Sequence, residues 1–320
     1  MRTARGLLGL LVIVPLIFSL SNCSKKATLP PRATLPGDPL GPAATIEPET
    51  PRKKRGKEPA ALSPERLEAI GDMSLQTKDY ESSLVHYLEI LKDNPTRYDL
   101  RYKVGVIFFL NGQYEAARRE LAFVLINRPE MLEAHEALGL VHLQEKKFPL
   151  AMEEFRIVLA KDPRRAKTRE LLGISFLEAG QTDRAIAELK QALAIDSRQV
   201  SSYVGLGQAY MQKKLYPQAV ETLKKGQALA PQNHKINYHL GLALAALKRY
   251  PEALETFKHA GDEAQGYNNI GVHYFMDGKY EEAAKCFQRA IELRPTFYGE
   301  AKANLQRALE KLHQSRKDDS

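Results

Sequence analysis

The 320-residue sequence contains 47 Lys and Arg, 39 Asp and Glu and two cysteines, and its formal net charge is +8. Residues 1–63 hold ten of the basic residues against four acidic ones, so residues 64–320 hold 37 against 35 and are nearly neutral. This distribution argues against a body that binds nucleic acid, and two cysteines far apart in the chain argue against a disulfide framework or a zinc cluster.

The first 22 residues have the pattern of a targeting segment. Arg2 and Arg5 precede an apolar run of fourteen residues, Leu7–Leu20, which Pro15 interrupts. A membrane-spanning helix needs about 20 apolar residues. We therefore expect residues 1–22 to be a cleavable signal peptide rather than a permanent membrane span.

The end of this apolar run reads Leu20-Ser21-Asn22-Cys23. These residues resemble the lipobox of bacterial lipoproteins, although Asn22 stands where that family usually has Ala, Gly or Ser. The resemblance implies that Cys23 is the lipidated first residue of the mature protein and anchors it to a membrane. The alternative is an uncleaved signal anchor in which Cys23 is an ordinary thiol.

Residues 23–63 are rich in Pro, Thr and Ala and poor in large apolar side chains, so we expect a disordered linker. Within it, Arg52-Lys53-Lys54-Arg55 forms a basic run. This run has two readings, attraction to anionic lipid headgroups or a solvated stretch that keeps the linker extended.

From residue 64 onward one pattern recurs. Its first mark is a glycine every 34 residues, with a last interval of 30: Gly71, Gly105, Gly139, Gly173, Gly207, Gly241 and Gly271. Twelve residues after each glycine stands a small residue: Ser83, Ala117, Ala151, Ala185, Ala219, Ala253 and Ala283. Four residues further stands a bulky one: Tyr87, Leu121, Phe155, Leu189, Leu223, Phe257 and Phe287. Two helices can approach closely at the small positions while the bulky residue fills the space beside them, so each period predicts a helical hairpin stacked on its neighbours.

Turn residues agree with this prediction. Glycines suited to a left-handed backbone occur between the two expected helices of three units, at Gly112, Gly180 and Gly278. Prolines stand where the second helix is expected to begin, at Pro149, Pro217 and Pro251. Further prolines stand where it is expected to stop, at Pro95, Pro129, Pro163, Pro231 and Pro295.

The period and its marked positions resemble tetratricopeptide repeats over residues 64–297. The resemblance implies an all-α fold, a right-handed superhelical solenoid of about seven hairpins. The expected units are 64–97, 98–131, 132–165, 166–199, 200–233, 234–263 and 264–297, and residues 298–320 are expected to form a capping helix and a charged tail. No unit carries the family's tryptophan in the first turn of its first helix, where this chain has Leu67, Arg101, His135, Arg169, Tyr203, Asn237 and Tyr267.

Family geometry implies a concave groove lined by the first helix of each hairpin. The inward positions then hold Tyr102, Val106, Phe109, Leu140, Leu143, Ile174, Leu177, Val204, Met211, Tyr238 and Leu242. This set is mostly apolar and lacks the Lys and Asn of repeats that clamp a terminal carboxylate. The expected partner is therefore a protein or peptide with an apolar segment. The alternative for Val106, Leu140 and Ile174 is packing between adjacent helices.

We find no sequence signature of catalysis, of a metal site or of a cofactor. GxxxxGK[ST], HExxH, GxSxG and CxxC motifs are absent from the sequence. His135 and His142 stand seven residues apart on one helical face, but no third ligand is evident, so we expect packing histidines. Cys286 adjoins a core position and is expected to be an ordinary thiol. We predict a protein that is not an enzyme and binds no cofactor.

These features predict a lipid-anchored scaffold for protein–protein interaction. The expected location is the bacterial cell envelope, with the outer membrane favoured and the repeats facing the periplasm. The architecture is similar to that of the tetratricopeptide lipoproteins that help pilus secretins assemble. The alternative is a factor that recruits a cell-wall or secreted enzyme.

One unit departs from the period. Residues 234–263 lack four residues at the end of the second helix, close to Gly261. We expect the superhelix to bend there and residues 264–314 to form a slightly reoriented end.

Overall fold

The computed structural model describes residues 62–294 and 299–318. Within these residues the chain forms fifteen α-helices and no β-strand. The expected signal peptide, the lipidation site Cys23 and nearly all of the expected linker lie outside the described residues. The all-α class predicted from the repeat pattern is confirmed.

Fourteen of the helices form seven hairpins, each made of a first (A) and a second (B) helix. The A helices are α1 (Pro64–Gln76), α3 (Tyr98–Leu110), α5 (Leu132–Gln144), α7 (Ala166–Glu178), α9 (Val200–Gln212), α11 (His234–Ala246) and α13 (Glu263–Met276). The B helices are α2 (Tyr80–Asp93), α4 (Tyr114–Asn127), α6 (Phe148–Lys161), α8 (Thr182–Ile195), α10 (Tyr216–Leu229), α12 (Tyr250–His259) and α14 (Tyr280–Leu293). The last helix is α15 (Gly299–Asp318).

Every turn between an A helix and its B helix contains one residue with positive φ. Glycine fills this position at Gly112, Gly180 and Gly278, with φ of 73°, 74° and 76°. Lysine fills it in the other four hairpins, at Lys78, Lys146, Lys214 and Lys248, with φ of 58° to 63°. A residue with a Cβ is strained in this region, and the glycine pattern did not predict lysine there.

The repeat glycines mark close contact between the two helices of a hairpin. A Cβ added to Gly139 would lie 2.6 Å from Cε1 of Phe155, and one added to Gly207 would lie 2.5 Å from Cγ of Leu223. The bulky residues themselves are buried at every unit. The spacing of glycine and bulky residue therefore encodes the packing of α-helix against α-helix, as the sequence predicted.

The shortened unit is visible in the lengths of its helices. The B helix α12 ends at His259 after 10 residues, whereas the other B helices have 14. Gly261 has φ of 71°, and α13 begins two residues later at Glu263. The bend expected at this junction stays a prediction.

Helix α15 covers the end of the last hairpin. Ala301 is buried against Ala264 and Ala290, and Ala308 is buried against Ala283 and Phe287. Its remaining surface is largely exposed and charged. This is the pattern of a capping helix, which covers an apolar end with a solvated face.

Candidate partner-binding groove

The A helices form one face of the solenoid. From α3 to α13 each A helix contacts the next A helix, whereas no two B helices contact each other among the described helices. A stack that is closer on one side than on the other must curve toward the close side. The A helices therefore line the concave face, which we call the groove.

Most of the predicted groove residues lie half-buried at the surface of the core. Tyr102, Val106 and Phe109 pack on one hydrophobic cluster, and Leu140 and Leu143 pack on the next. Val204, Met211, Tyr238 and Leu242 pack on a third cluster, and Ile174 is half-buried as well. These side chains support the helix packing and also leave part of their surface exposed in the groove.

Leu177 has a different position from the other predicted groove residues. Only 4% of its side chain is exposed, and it belongs to the core cluster that contains Phe155 and Leu189. Its contribution is therefore to packing, because a ligand in the groove cannot reach it. The more exposed apolar side chains at inward positions are Leu110, at 49%, and Met276, at 60%.

The groove also carries polar side chains that bond one A helix to the next. Asp72 on α1 pairs with Lys103 on α3 at 2.7 Å, and Glu136 on α5 pairs with Arg165, just before α7, at 3.2 Å. Ser201 on α9 donates a hydrogen bond to Glu170 on α7 at 2.8 Å. These bonds fix the spacing of the A helices and so the shape of the groove.

The same series continues through the last units. The amide of Gln208 donates to Nε2 of His239 at 3.0 Å, and Gln265 donates to the hydroxyl of Tyr238 at 3.3 Å. Asn268 on α13 donates to Glu300 on α15 at 3.3 Å. We call this series of bonds between neighbouring A helices the polar ladder.

Sequence reasoning missed most of the polar ladder. The position three residues before the repeat glycine is polar in four units, as Glu68, Glu136, Glu170 and Asn268. The repeat register therefore indicated polar residues on this face of the A helices, although the predicted groove residues are mostly apolar. The groove has a mixed lining, in which apolar patches alternate with paired polar groups.

The first pair of the polar ladder, Asp72 with Lys103, is ionised near neutral pH. Burial opposes the ionisation of Asp72, but hydrogen bonds from Lys103 and Tyr87 outweigh it, so the pKa of Asp72 lies below its ordinary value. Burial raises the pKa of the Tyr102 and Tyr238 hydroxyls, so both hydroxyls are neutral near neutral pH.

The two histidines considered as metal ligands, His135 and His142, are buried among protein groups. The Nδ1 atom of His135 lies 2.6 Å from a carboxylate oxygen of Glu154, and its Nε2 donates to the carbonyl of Pro129 at 3.0 Å. Burial lowers the pKa of His142. The described residues include no group of three or more His, Cys, Asp or Glu placed to hold a metal ion.

Burial raises the pKa of the Cys286 thiol to about 11, with a smaller contribution from Glu282, so the thiolate needed for nucleophilic chemistry is scarce at neutral pH. None of the described helices is both long and apolar enough to cross a membrane.

Comparison with protein families identifies the repeat. Three family models described as tetratricopeptide repeat match the chain, one at residues 264–297, one at 176–233 and one at both 110–166 and 216–268. Together these matches cover more than half of the sequence. A search of curated proteins found no significant match.

Solved structures show the same fold. A tetratricopeptide repeat protein from Parabacteroides merdae has a TM-score of 0.59 and 14% identity, with 77% of this chain and 98% of that chain covered. The PilF protein of Pseudomonas aeruginosa has a TM-score of 0.54 and 21% identity, with 67% of this chain and 97% of that chain covered. A chain of the Cut9–Hcn1 complex of the APC/C has a TM-score of 0.59 and 16% identity, with 77% and 48% covered.

Proposed function

Because the chain belongs to the tetratricopeptide repeat family, we propose that it is a scaffold that binds a partner protein in the groove and catalyses no reaction. The observation that carries this proposal is the groove itself. Half-exposed apolar side chains alternate there with polar groups on a framework that the polar ladder holds in place. Such a surface can bury apolar side chains of a partner and hydrogen-bond its backbone.

We further propose that the partner has an apolar segment and belongs to an envelope assembly such as a pilus or secretin. The lipobox-like residues before Cys23 support an envelope location, and the fold shared with PilF is compatible with it. In this arrangement the lipid on Cys23 anchors the protein to the outer membrane and the repeats face the periplasm. Residues 23–63 act as the tether.

A groove variant tests partner binding. Leu110→Asp combined with Met276→Asp places charge on two apolar side chains that are already exposed, so the fold should remain intact while an apolar partner is repelled. The control variant is Leu88→Asp combined with Ile126→Asp, which charges two exposed apolar side chains on B helices.

The measurement is co-purification from envelope extracts under identical conditions, followed by identification of the bound proteins. We expect the groove variant to lose a partner that the control variant retains. Retention of that partner by both variants would contradict the groove proposal. Pilus or secretin components among the lost proteins support the envelope assembly, whereas cell-wall enzymes would support the recruitment alternative.

The lipid anchor needs a separate experiment. Metabolic labelling with a lipid precursor should label the native protein, and Cys23→Ala should abolish the label. An unlabelled native protein, or a labelled Cys23→Ala variant, would contradict lipidation at this residue.

A further inference from the structure

A cavity of about 550 Å³ lies on the side of the solenoid formed by the B helices, away from the groove. It occupies the gap between α6 and α8, which do not contact each other, and α7 forms its floor. Its lining includes Arg156, Arg169, Arg184, Glu188 and the ring of Phe176. We call it the arginine cavity.

One of its three arginines is already neutralised. Arg169 pairs with Glu188 at 3.0 Å and donates to the carbonyl of Pro163 at 3.0 Å. Since Glu188 is the only acidic residue of the lining, Arg156 and Arg184 leave it with two positive charges in excess.

These two remaining arginines converge on one aromatic ring. The guanidinium carbon of Arg156 lies 5.5 Å from the ring centroid of Phe176, and that of Arg184 lies 5.8 Å away. Phe176 is buried, so it holds both cationic groups near a fixed point by cation–π attraction.

Neither arginine has an acidic partner among the described residues. Arg184 donates one hydrogen bond, to the amide oxygen of Gln181 at 2.9 Å. Arg156 makes no hydrogen bond or ion pair with any of the described residues. A guanidinium has five N–H donors in a planar fork that fits a carboxylate. Most of the donor capacity of this pair is therefore left for a ligand.

The pair is a property of this junction and not of the repeat. At the next junction, 34 residues further, the equivalents of Arg156 and Arg184 are Lys190 and Gln218. The Nζ atom of Lys190 lies 5.8 Å from the ring centroid of Tyr210, so a cation also stacks on an aromatic ring at that junction. The second cation is missing there, because Gln218 is neutral.

We propose that the arginine cavity binds an acidic segment of a partner protein, with an Asp or Glu carboxylate between Arg156 and Arg184. The charge of the lining selects an anion. The apolar part of the lining that is exposed, Ala160 and Ala187, selects a peptide over a free ion, because it can contact a neighbouring apolar side chain. The cavity would be a second attachment point, independent of the groove.

A pair of synthetic peptides tests this proposal. The acidic probe is a fluorescein-labelled hexapeptide of alternating Glu and Leu, and the neutral probe has Gln in place of Glu. We expect the acidic probe to bind the full chain more tightly in fluorescence anisotropy and to weaken as salt is raised, because screening reduces charge attraction. Equal binding of both probes would overturn the proposal.

Variants locate the site. Arg156→Gln combined with Arg184→Gln should weaken the acidic probe by about tenfold or more, since two charged hydrogen-bonding groups are removed. Lys190→Gln, at the next junction, is the matched control and should leave the affinity unchanged. Circular dichroism melting of each variant shows that the fold is retained. Unchanged affinity in the double variant, or an equal loss in the control, would overturn the proposal.

Two further measurements separate other anions. Inorganic phosphate at millimolar concentration should compete poorly with the acidic probe, and vesicles of anionic phospholipid should not bind through these arginines. Full displacement by phosphate, or vesicle binding that the double variant abolishes while the peptide does not bind, would assign the cavity to a free anion or a lipid and overturn the proposal.

Discussion

At the first turn of five successive A helices, a polar side chain takes the place of the family's tryptophan and bonds to the turn before it. Each donates to the carbonyl of the residue six positions earlier: Arg101 to Pro95, His135 to Pro129, Arg169 to Pro163, Tyr203 to Ser197 and Asn237 to Pro231, at 2.8 to 3.1 Å. These bonds attach the turn between units to the following helix. In these units a hydrogen bond from the residue at the tryptophan position connects the A helix to the preceding turn.

The strength of this bond should depend on burial. Asn237 is fully buried and also accepts a hydrogen bond from Gln227 at 2.7 Å, whereas the bond from Tyr203 is exposed. We expect Asn237→Ala to lower the free energy of unfolding by about 2 kcal/mol and Tyr203→Phe by less than about 1 kcal/mol. Urea unfolding measures both, and equal losses would contradict the role of burial.

The positive-φ turn position offers a second comparison at the residue scale. A Cβ at Gly180 would meet no atom within 4 Å, so any loss in Gly180→Ala comes from the backbone, and we expect about 1 kcal/mol. Lys214→Gly should relieve the same strain and raise stability, by up to about 1 kcal/mol. Thermal and urea unfolding test both, and a loss of stability in Lys214→Gly would show that its side chain matters more than its φ.

The buried His239 predicts a pH dependence of stability. Burial, with a smaller effect of Lys235, lowers its pKa from 6.5 to about 4. As the pH is lowered, the unfolded chain binds a proton at this histidine below about pH 6.5, whereas the folded chain binds it only near pH 4. The free energy of unfolding should therefore fall as the pH is lowered from 6.5 to 4, by up to about 1.4 kcal/mol per pH unit. The pKa values of His142 and His273 are lowered in the same direction.

His239→Gln isolates this contribution because the amide is neutral at every pH and can still bond to Gln208. We expect urea unfolding between pH 7.5 and 5 to show a flatter dependence for this variant than for the native chain. His313→Gln, at an exposed position of α15, is the control and should keep the native dependence. Identical slopes for native chain and His239→Gln would contradict the assignment.

At the scale of helices, the contact between hairpins depends on paired side-chain volumes. Gly226 on α10 lies against α9 and α11, where an added Cβ would be 2.1 Å from Cδ1 of Ile236 and 2.8 Å from Cβ of Tyr203. Ile236 is fully buried, so the glycine makes room for it. A similar contact occurs at the shortened unit, where a Cβ on Gly266 would be 2.8 Å from Phe257.

A double-mutant cycle tests the pairing of Gly226 with Ile236. We expect Gly226→Ala to destabilise by about 1–3 kcal/mol through overpacking and Ile236→Val by about 1 kcal/mol through lost burial. The double variant should lose less than the sum, because removal of Cδ1 makes room for the new methyl group. Additive losses in urea unfolding would show that Tyr203, and not Ile236, sets the limit.

At the scale of the whole solenoid, no core joins distant units among residues 62–294 and 299–318, because each described hairpin contacts only its neighbours along the chain. Stability is then a sum of local terms, and a defect at one end should remain local. Helix α15 is the clearest place to test this, since it buries Ala301 and Ala308 against the last hairpin.

Two adjacent residues of α15 give a matched test. Ala308 is buried against Phe287, whereas Leu309 is 50% exposed. We expect Ala308→Asp to destabilise by about 2–4 kcal/mol, because a charge is buried, and Leu309→Asp to have little effect. Hydrogen exchange should show the loss of protection in α13–α15 and not in α3–α8. A loss spread over all hairpins would contradict the local character of the fold.

The repeat pattern was sufficient for the fold, because spacing of glycine, small and bulky residues expresses local contacts between two helices close in sequence. The same register placed Tyr102, Phe109 and Tyr238 on the A helices. It did not reveal that Leu177 is buried, because neighbouring units decide how much of each side chain they cover.

The amino-acid sequence by itself determined the seven hairpins, the departure at Gly261 and the near-neutral charge of the repeats. Only the tertiary structure decided which polar side chains meet across successive A helices, that lysine occupies four left-handed turns, and that Arg156 and Arg184 share one ring. The lysine turns lie within single hairpins. In contrast, Glu170 and Ser201 stand about 30 positions apart on neighbouring hairpins, and so do Arg156 and Arg184. Their positions depend on how hairpins stack, which no single period of the sequence contains.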